Sequence, residues 1–164
     1  LGLPASKLAE PADSVTFCLS KGLCAPVGSV LCGNATFISK ARRLRKMLGG
    51  GMRQAGIIAA AGIVALDEMV DRLAEDHRRA ALLAEGLRGI GKVHLTKNLP
   101  QTNMVFFKLD DSVTLSMQEF LEAMKQEGVL LMDSGPGEYR MVTHHDISDK
   151  GVDVSLEAFR KVLN

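Results

Sequence analysis

Apolar positions along this chain repeat every second residue in some stretches and every three to four in others, and that change of period marks its elements. Ser14-Val15-Thr16-Phe17-Cys18-Leu19 is rich in β-formers and predicts a buried strand ending just before Ser20-Lys21-Gly22. Val27 to Cys32 predicts a second short strand after the Pro26 turn, with Gly22, Gly28 and Gly33 as punctuation. Two strands alone make a marginal sheet, so the pair is expected to belong to a larger one. Residues 1–13 read as the tail of a helix or as a loop, broken by Pro4 and Pro11. Asn34 is a candidate N-cap for a helix running to about Met47, which Gly49-Gly50-Gly51 then ends. The next helix, roughly Gln54 to Leu66, is small and apolar all round, the pattern of a helix buried on every side. Its alanines and glycines would also let another backbone come close.

Beyond residue 68 the pattern changes, and the chain is divided there. Val70, Leu73, His77, Ala80, Ala84 and Leu87 form a helical stripe that ends at Gly89-Ile90-Gly91. Strands are expected at Val93–Thr96, Asn103–Leu109, Val129–Met132 and Tyr139–Thr143. Between them lies a helix with Met117, Phe120, Leu121 and Met124 on one face, opened by Ser116-x-x-Glu119 as a capping box and stopped by Gly128. A closing helix carries Val152, Leu156, Phe159 and Val162. The whole reads as α/β: residues 1–68 are the end of a large domain with a mostly parallel sheet and helices, and residues 69–164 are a small α+β domain over one sheet.

Composition narrows the class. Apolar residues make up 46% of the 164 and charged residues 24%, so the chain has enough to bury and disorder is excluded. A formal net charge of +1 gives no bulk attraction to nucleic acid or anionic membrane. No apolar run reaches the ~18 residues that a membrane span needs. Cys18, Cys24 and Cys32 are an odd set without CxxC spacing, which fits a reduced intracellular compartment better than disulfides or zinc. Leu1-Gly2-Leu3-Pro4 is neither a signal peptide nor an initiator methionine, and a fragment is expected.

Candidate chemistry centres on Ser20-Lys21-Gly22. A lysine at a strand end is placed where substrates reach the edge of an α/β sheet. To act as a nucleophile toward a carbonyl it needs an unprotonated amine, which burial or neighbouring cations favour. Taken by itself the tripeptide reads rather as a solvated turn lysine, since buried lysines are rare. Gly49-Gly50-Gly51 before a helix start offers successive amides to an anion, with Lys46 and Arg53 beside it; the alternative is a hinge between helices. Read from position alone, Arg140 is a surface ion pair at a strand end and Ser20 a strand cap. Lys40, Arg42 and Arg43 read as a solvated face, His77 as a core histidine and the Met stripe as core filler. His144-His145-Asp146 does not read as a metal site, because neighbours on a strand point to opposite faces and no third ligand stands at typical spacing.

The stretch from Asp13 to Gly33, DSVTFCLSKGLCAPVGSVLCG, resembles the cofactor-lysine segment of low-specificity L-threonine aldolases. Arg45-Lys46-Met47-Leu48-Gly49-Gly50-Gly51-Met52-Arg53-Gln54 is similar to the same family's glycine-rich segment, and Ala59-Ala60-Ala61-Gly62 and Leu73-Ala74-Glu75-Asp76-His77 continue the likeness. Tyr139-Arg140-Met141-Val142-Thr143-His144 resembles its substrate-arginine strand, so the resemblance spans essentially the whole chain. It implies the C-terminal half of a pyridoxal 5'-phosphate enzyme of the aspartate-aminotransferase-like fold type I, cleaving L-threonine and L-allo-threonine to glycine and acetaldehyde. In that reading Lys21 carries the cofactor, Ser20, Lys46 and Arg53 contact it, the last two from a neighbouring subunit, and Arg140 grips the substrate carboxylate. The resemblance also implies a lyase of threonine catabolism and glycine biosynthesis and a homotetramer built as a dimer of dimers; the reduced cysteines point to a cytoplasmic location, with a mitochondrial one left open. It implies that this half alone is inactive, since the family's stacking histidine and ring-nitrogen aspartate lie outside it. The competing readings are a non-catalytic subunit-association protein and another fold type I lyase. One position departs: Cys24 stands where the family has glycine, and if that site needs a positive φ the cysteine is strained.

Overall fold

The computed structural model describes residues 2–164, so the Leu1 end of the expected helix tail or loop lies outside the described residues. The chain forms two compact units that part after Leu73.

In the first unit, α1 (Ala5–Ala9) precedes a hairpin of β1 (Ser14–Cys18) and β2 (Ser29–Gly33), followed by α2 (Ala35–Met47) and α3 (Gly56–Glu68). The hairpin is antiparallel, with Ser14 opposite Gly33 and Cys18 opposite Ser29. Strand β2 begins two residues later than expected. The Gly28 carbonyl accepts from the Leu19 amide at 2.9 Å, and Gly28 itself has φ +119°, which keeps Val27 off the ladder. Asn34 caps α2 as expected, its Oδ1 accepting from the Phe37 amide at 2.9 Å. Helix α3 starts after Gln54 because that residue has φ +53° and cannot lie in a right-handed helix.

The small core here is Leu19, Leu23, Ala25 and Ala65, with Val30, Met69 and Leu73 packed on it. Close approach is real at Gly62, where an added Cβ would stand 2.9 Å from Leu19 Cδ1. Burial of α3 on every side is not borne out within this unit. Only Gly62 and Ala65 are buried, whereas Ile57 is 81% and Ile63 59% exposed. A single stripe of the helix meets the Leu19 loop, and apolar composition alone does not supply a neighbour for the rest. Strand β1 is likewise open rather than buried, with Val15 its one half-buried residue.

The second unit takes up α4 (Leu73–Arg88) from its second residue, and α4 leads into β3 (Val93–Leu95), β4 (Met104–Leu109), α5 (Met117–Gln126), β5 (Met132–Gly135), β6 (Glu138–Val142) and α6 (Asp149–Leu163). The four strands form one sheet in the order β3-β4-β6-β5. Every ladder among the described residues is antiparallel, so the mostly parallel pairing expected for the first unit is not present in this chain. Val105 and Phe107 of β4 and Tyr139 and Met141 of β6 share one core with Leu83, Ala84 and Leu87 of α4, Phe120 and Met124 of α5, and Leu156 and Phe159 of α6. Four rings knit it together. Phe107 stacks on Tyr139 at 5.2 Å between centroids, and Phe159 meets Phe107 edge-on at 5.3 Å. Phe120 meets Tyr139 edge-on at 5.0 Å and Phe159 at 5.7 Å. Each such pair contributes about 0.5–1.5 kcal/mol beyond its buried area.

The expected capping box is present: Glu119 N donates to Ser116 Oγ at 3.3 Å, and Ser116 N donates to Glu119 Oε2 at 2.8 Å. Gly128, at φ +80°, ends α5 in a Schellman motif whose Val129 amide donates back to the Met124 carbonyl at 2.9 Å. Val129 is therefore used as a helix cap, and β5 begins at Met132 instead of Val129. His77 is half-buried rather than a core residue; the stripe runs through Asp76, Ala80, Leu83, Ala84 and Leu87. Thr143, itself buried, donates its hydroxyl to the Asp76 carbonyl at 2.6 Å. Among the described residues no helix is long and apolar enough to cross a membrane.

Two predictions follow from this packing. An added Cβ at Gly86 would run into both methyl groups of Leu156. Alanine gains up to ~1 kcal/mol of helix propensity over glycine, but overpacking costs about 1–3 kcal/mol. Gly86→Ala should therefore lower the urea midpoint, and a raised midpoint would refute the close α4–α6 contact. The second concerns Asp149, the first residue of α6, which accepts from Arg78 at 2.6 Å and from Arg79 at 2.9 Å. The hydrogen bond from Arg78, then that from Arg79, holds the Asp149 carboxyl below its ordinary value. A depressed carboxylate stabilises the fold above its unfolded pKa of about 3.9, and that contribution is lost as pH falls through the lower folded value. The thermal midpoint should fall below about pH 4, and Asp149→Asn should flatten that part of the profile in melts followed by circular dichroism.

Candidate active site

Lys21 lies in the loop that joins β1 to β2. Three backbone hydrogen bonds shape it: Leu19 N to Gly28 O at 2.9 Å, Cys24 N to Lys21 O at 2.9 Å, and Ala25 N to Leu19 O at 3.0 Å. Leu19, Leu23 and Ala25 are buried and anchor the loop from beneath. Ser20 and Lys21 remain exposed between these anchors, so the expectation of a lysine at the end of a buried strand is corrected to an exposed lysine on a pinned turn. The turn needs a left-handed residue at its fourth position, and Cys24 supplies it at φ +59°. Its Sγ donates weakly to the Gly22 carbonyl at 3.5 Å.

The glycine-rich segment begins as a helix cap. Gly49, at φ +82°, donates its amide to Lys46 O at 3.2 Å, and Gly50 donates to Arg45 O at 2.8 Å. This is a Schellman arrangement closing α2. A Cβ on Gly50 would lie 2.9 Å from Arg45 Cγ and 3.1 Å from the Arg45 carbonyl oxygen, and one on Gly51 2.8 Å from Lys46 Cδ, so a side chain at either position would displace its neighbour. The expected presentation of successive amides to an anion is thus corrected at Gly49 and Gly50, whose N–H groups are already spent on the helix. Positive charge near the segment comes from the exposed side chains of Lys46, in the last turn of α2, and Arg53, in the turn before α3. Lys40, Arg42 and Arg43 are exposed, as expected of a solvated face.

Arg140 belongs to the second unit, in the middle of β6. Tyr139 and Met141 on either side are buried, so the alternation of the strand turns Arg140 to the opposite face of the sheet. There it sits opposite Phe106 of β4 and Met132 of β5 in the ladder. Its Nη2 donates to Met132 Sδ at 3.2 Å, and its Nε is buried with no hydrogen-bond partner. No carboxylate among the described residues pairs with it, against the surface ion-pair alternative. Lys97 lies on the same sheet face, with Nζ 3.4 Å from the Phe106 ring centroid. Sequence reading missed Phe106, Met132 and Lys97. The alternation of β4 could have placed Phe106 on this face, but Met132 depends on a register set by an irregularity between Asp133 and Gly135.

The chain has relatives across its whole length. The family described as Beta-eliminating lyase matches residues 1–127. The chain is 42% identical over 163 residues to low-specificity L-threonine aldolase 1 of Arabidopsis thaliana, covering 99% of this chain and 46% of that protein. It is 44% identical over 147 residues to the low specificity L-threonine aldolase of Escherichia coli strain K12, covering 90% of this chain and 42% of that protein. The chain thus spans about half the length of the curated relatives it matches. In fold it is similar to a crystal structure of a putative L-allo-threonine aldolase from Listeria monocytogenes EGD-E, with TM-score 0.78 and 20% identity over 98% of this chain and 47% of that one.

Cys24 gives a prediction of its own. Left-handed backbone costs an L-residue with a Cβ roughly 1–2 kcal/mol, which glycine avoids at some cost in unfolded-chain entropy. Cys24→Gly should stabilise the protein by about 1 kcal/mol in chemical denaturation; a loss of stability would show that the loop does not hold a positive φ there.

Proposed function

We propose that this chain, which belongs to the beta-eliminating lyase family, is the C-terminal half of a low-specificity threonine aldolase that works with pyridoxal 5'-phosphate. The reaction is the cleavage of L-threonine and L-allo-threonine to glycine and acetaldehyde. The observation that carries this reading is the 42% identity sustained over 163 residues to the Arabidopsis thaliana aldolase. The geometry supports it at three points. Lys21 offers an exposed amine on a turn fixed by buried neighbours. Lys46 and Arg53 put positive charge beside the glycine-rich segment, and Arg140 keeps a half-buried guanidinium free of any resident carboxylate among the described residues. In the first unit, Lys21 suits the covalent point and Lys46 and Arg53 part of the phosphate charge; in the second, Arg140 suits a carboxylate.

When bound, pyridoxal phosphate supplies the sink for the electrons released as the Cα–Cβ bond breaks. The protein's own work is placement and charge. Lys21 would hold the cofactor through Nζ, Lys46 and Arg53 of a neighbouring copy would offset its phosphate charge, and Ser20 would donate a hydrogen bond to it. Arg140 holds both oxygens of the substrate carboxylate with its planar fork, which limits how the substrate can rotate about Cα. Holding the carboxylate thereby selects which bond at Cα is presented for cleavage. The same reading includes a dimer of dimers, for which the exposed Ile57, Ile63 and Val64 of α3 offer apolar surface. It also includes a place in threonine breakdown and glycine formation, and a cytoplasmic location, in keeping with three free cysteines.

The test uses the full-length protein loaded with cofactor. Borohydride reduction followed by peptide mass spectrometry should find pyridoxyl on Lys21, and Lys21→Ala should remove it. Label on another side chain would refute the assignment. Arg140→Ala should raise KM for L-threonine on the order of ten- to a hundred-fold, the weight of hydrogen bonds to a charged group.

A further inference from the structure

We propose that Met132 is a positioning residue: its thioether aims the Arg140 guanidinium while leaving the arginine's charge available to a carboxylate ligand. The inference rests on the reading of Arg140 as the substrate-carboxylate arginine.

Arg140 stands between two ladder neighbours, Phe106 and Met132, on the face of the sheet turned away from the aromatic core. An aromatic ring offers its guanidinium no lone pair. Its described partner is Met132 Sδ, 3.2 Å from Nη2. Nε is shielded from solvent and unpaired. A thioether is a weak acceptor without charge, so it can favour one orientation of the fork without competing for it. An aspartate or glutamate in its place would neutralise the guanidinium and hold the fork shut against a ligand. A purely aliphatic residue would leave the long side chain free to swing, and that freedom would have to be lost on binding. Elsewhere in the same unit the opposite choice is made: Arg78 and Arg79 are tied to Asp149 and Glu75. Met132 is itself 54% exposed, so filling the core does not account for it.

The experiment measures the affinity of the cofactor-loaded full-length protein for glycine by titration calorimetry, together with KM and kcat for L-threonine. Four variants are compared: Met132→Leu, Met132→Gln, Met132→Glu and Arg140→Ala. Leucine keeps the bulk and removes the acceptor. It should weaken glycine binding roughly three- to ten-fold, the weight of one unconstrained long side chain, with the change in KM rather than kcat. Glutamine restores a neutral acceptor and should recover most of that loss. Glutamate should weaken binding more than leucine does, and its penalty should shrink at high salt as the new ion pair is screened. Equal losses in the leucine and glutamine variants would mean that only packing matters, and would overturn the proposal. Unchanged binding in Met132→Leu, with binding weakened in Arg140→Ala, would overturn the role of Met132 alone. Unchanged glycine binding in Arg140→Ala would overturn the reading of Arg140 and this inference together.

Discussion

Tyr139 and Met141 enter the core of the second unit only if Arg140, between them, leaves it. A strand has a period of two, and a slip of one residue would carry the guanidinium in among Phe107, Phe120 and Phe159 and expel the tyrosine. The four-ring cluster forbids that slip. Burying an unpaired charge there would cost far more than any alternative pairing could return. The position of the candidate ligand-binding arginine is therefore a consequence of aromatic packing on the other side of the same strand. The capping box of α5 and the clasp between α4 and α6 serve the same end, since they hold the helices that carry Phe120 and Phe159 against the sheet.

The first unit solves a similar problem with less material. Its loop must present Lys21 outward without being free to wander, and it has only a few buried side chains to hold it. Leu19, Leu23 and Ala25 alternate with exposed residues, so the backbone between them is pinned at both ends of the lysine turn. The turn closes through a left-handed residue, and Cys24 occupies that position against its own preference. The same economy appears at Gly49 and Gly50. Their first duty is to finish α2, and what remains for an anion is the charge of the neighbouring Lys46 and Arg53, not their own amides.

Features decided within four residues were legible in the sequence. Asn34 at the start of α2, Ser116 with Glu119 at the start of α5 and Gly128 at its end are local contracts between a side chain and nearby backbone, and each stands where the residues put it. Element starts that depend on one backbone angle were less legible: Gly28 delays β2, Gln54 delays α3, and Val129 is drawn into a helix cap that delays β5. Burial was least legible. The apolar run of α3 predicts a buried helix, yet burial belongs to whatever packs on a surface and not to the surface alone. For the same reason Lys21 was expected at the end of a buried strand and is exposed. Met132 stayed hidden because its neighbour Arg140 is eight residues away across a bulged ladder, and no periodicity points from one to the other.

Two sets of arginines in one small unit illustrate how charge is assigned to structure or to binding. Arg78 and Arg79 meet Asp149 and Glu75, and Asp149 lies at the N-terminal end of α6, where negative charge is favoured. Those guanidinium groups are spent: each gains its stabilisation from partners already in place, and a ligand carboxylate would have to displace one of them. Arg140 is of the same chemical type but is surrounded by an aromatic ladder neighbour, a thioether and a buried Nε without a partner. Its electrostatic interaction is still to be made. A buried donor without a partner is uncommon in a folded chain, and a fork with two parallel donors has the shape that a carboxylate takes. In the proposed reading, the distinction between a structural arginine and a binding one lies in the residues beside it: carboxylates beside Arg78 and Arg79, a thioether beside Arg140.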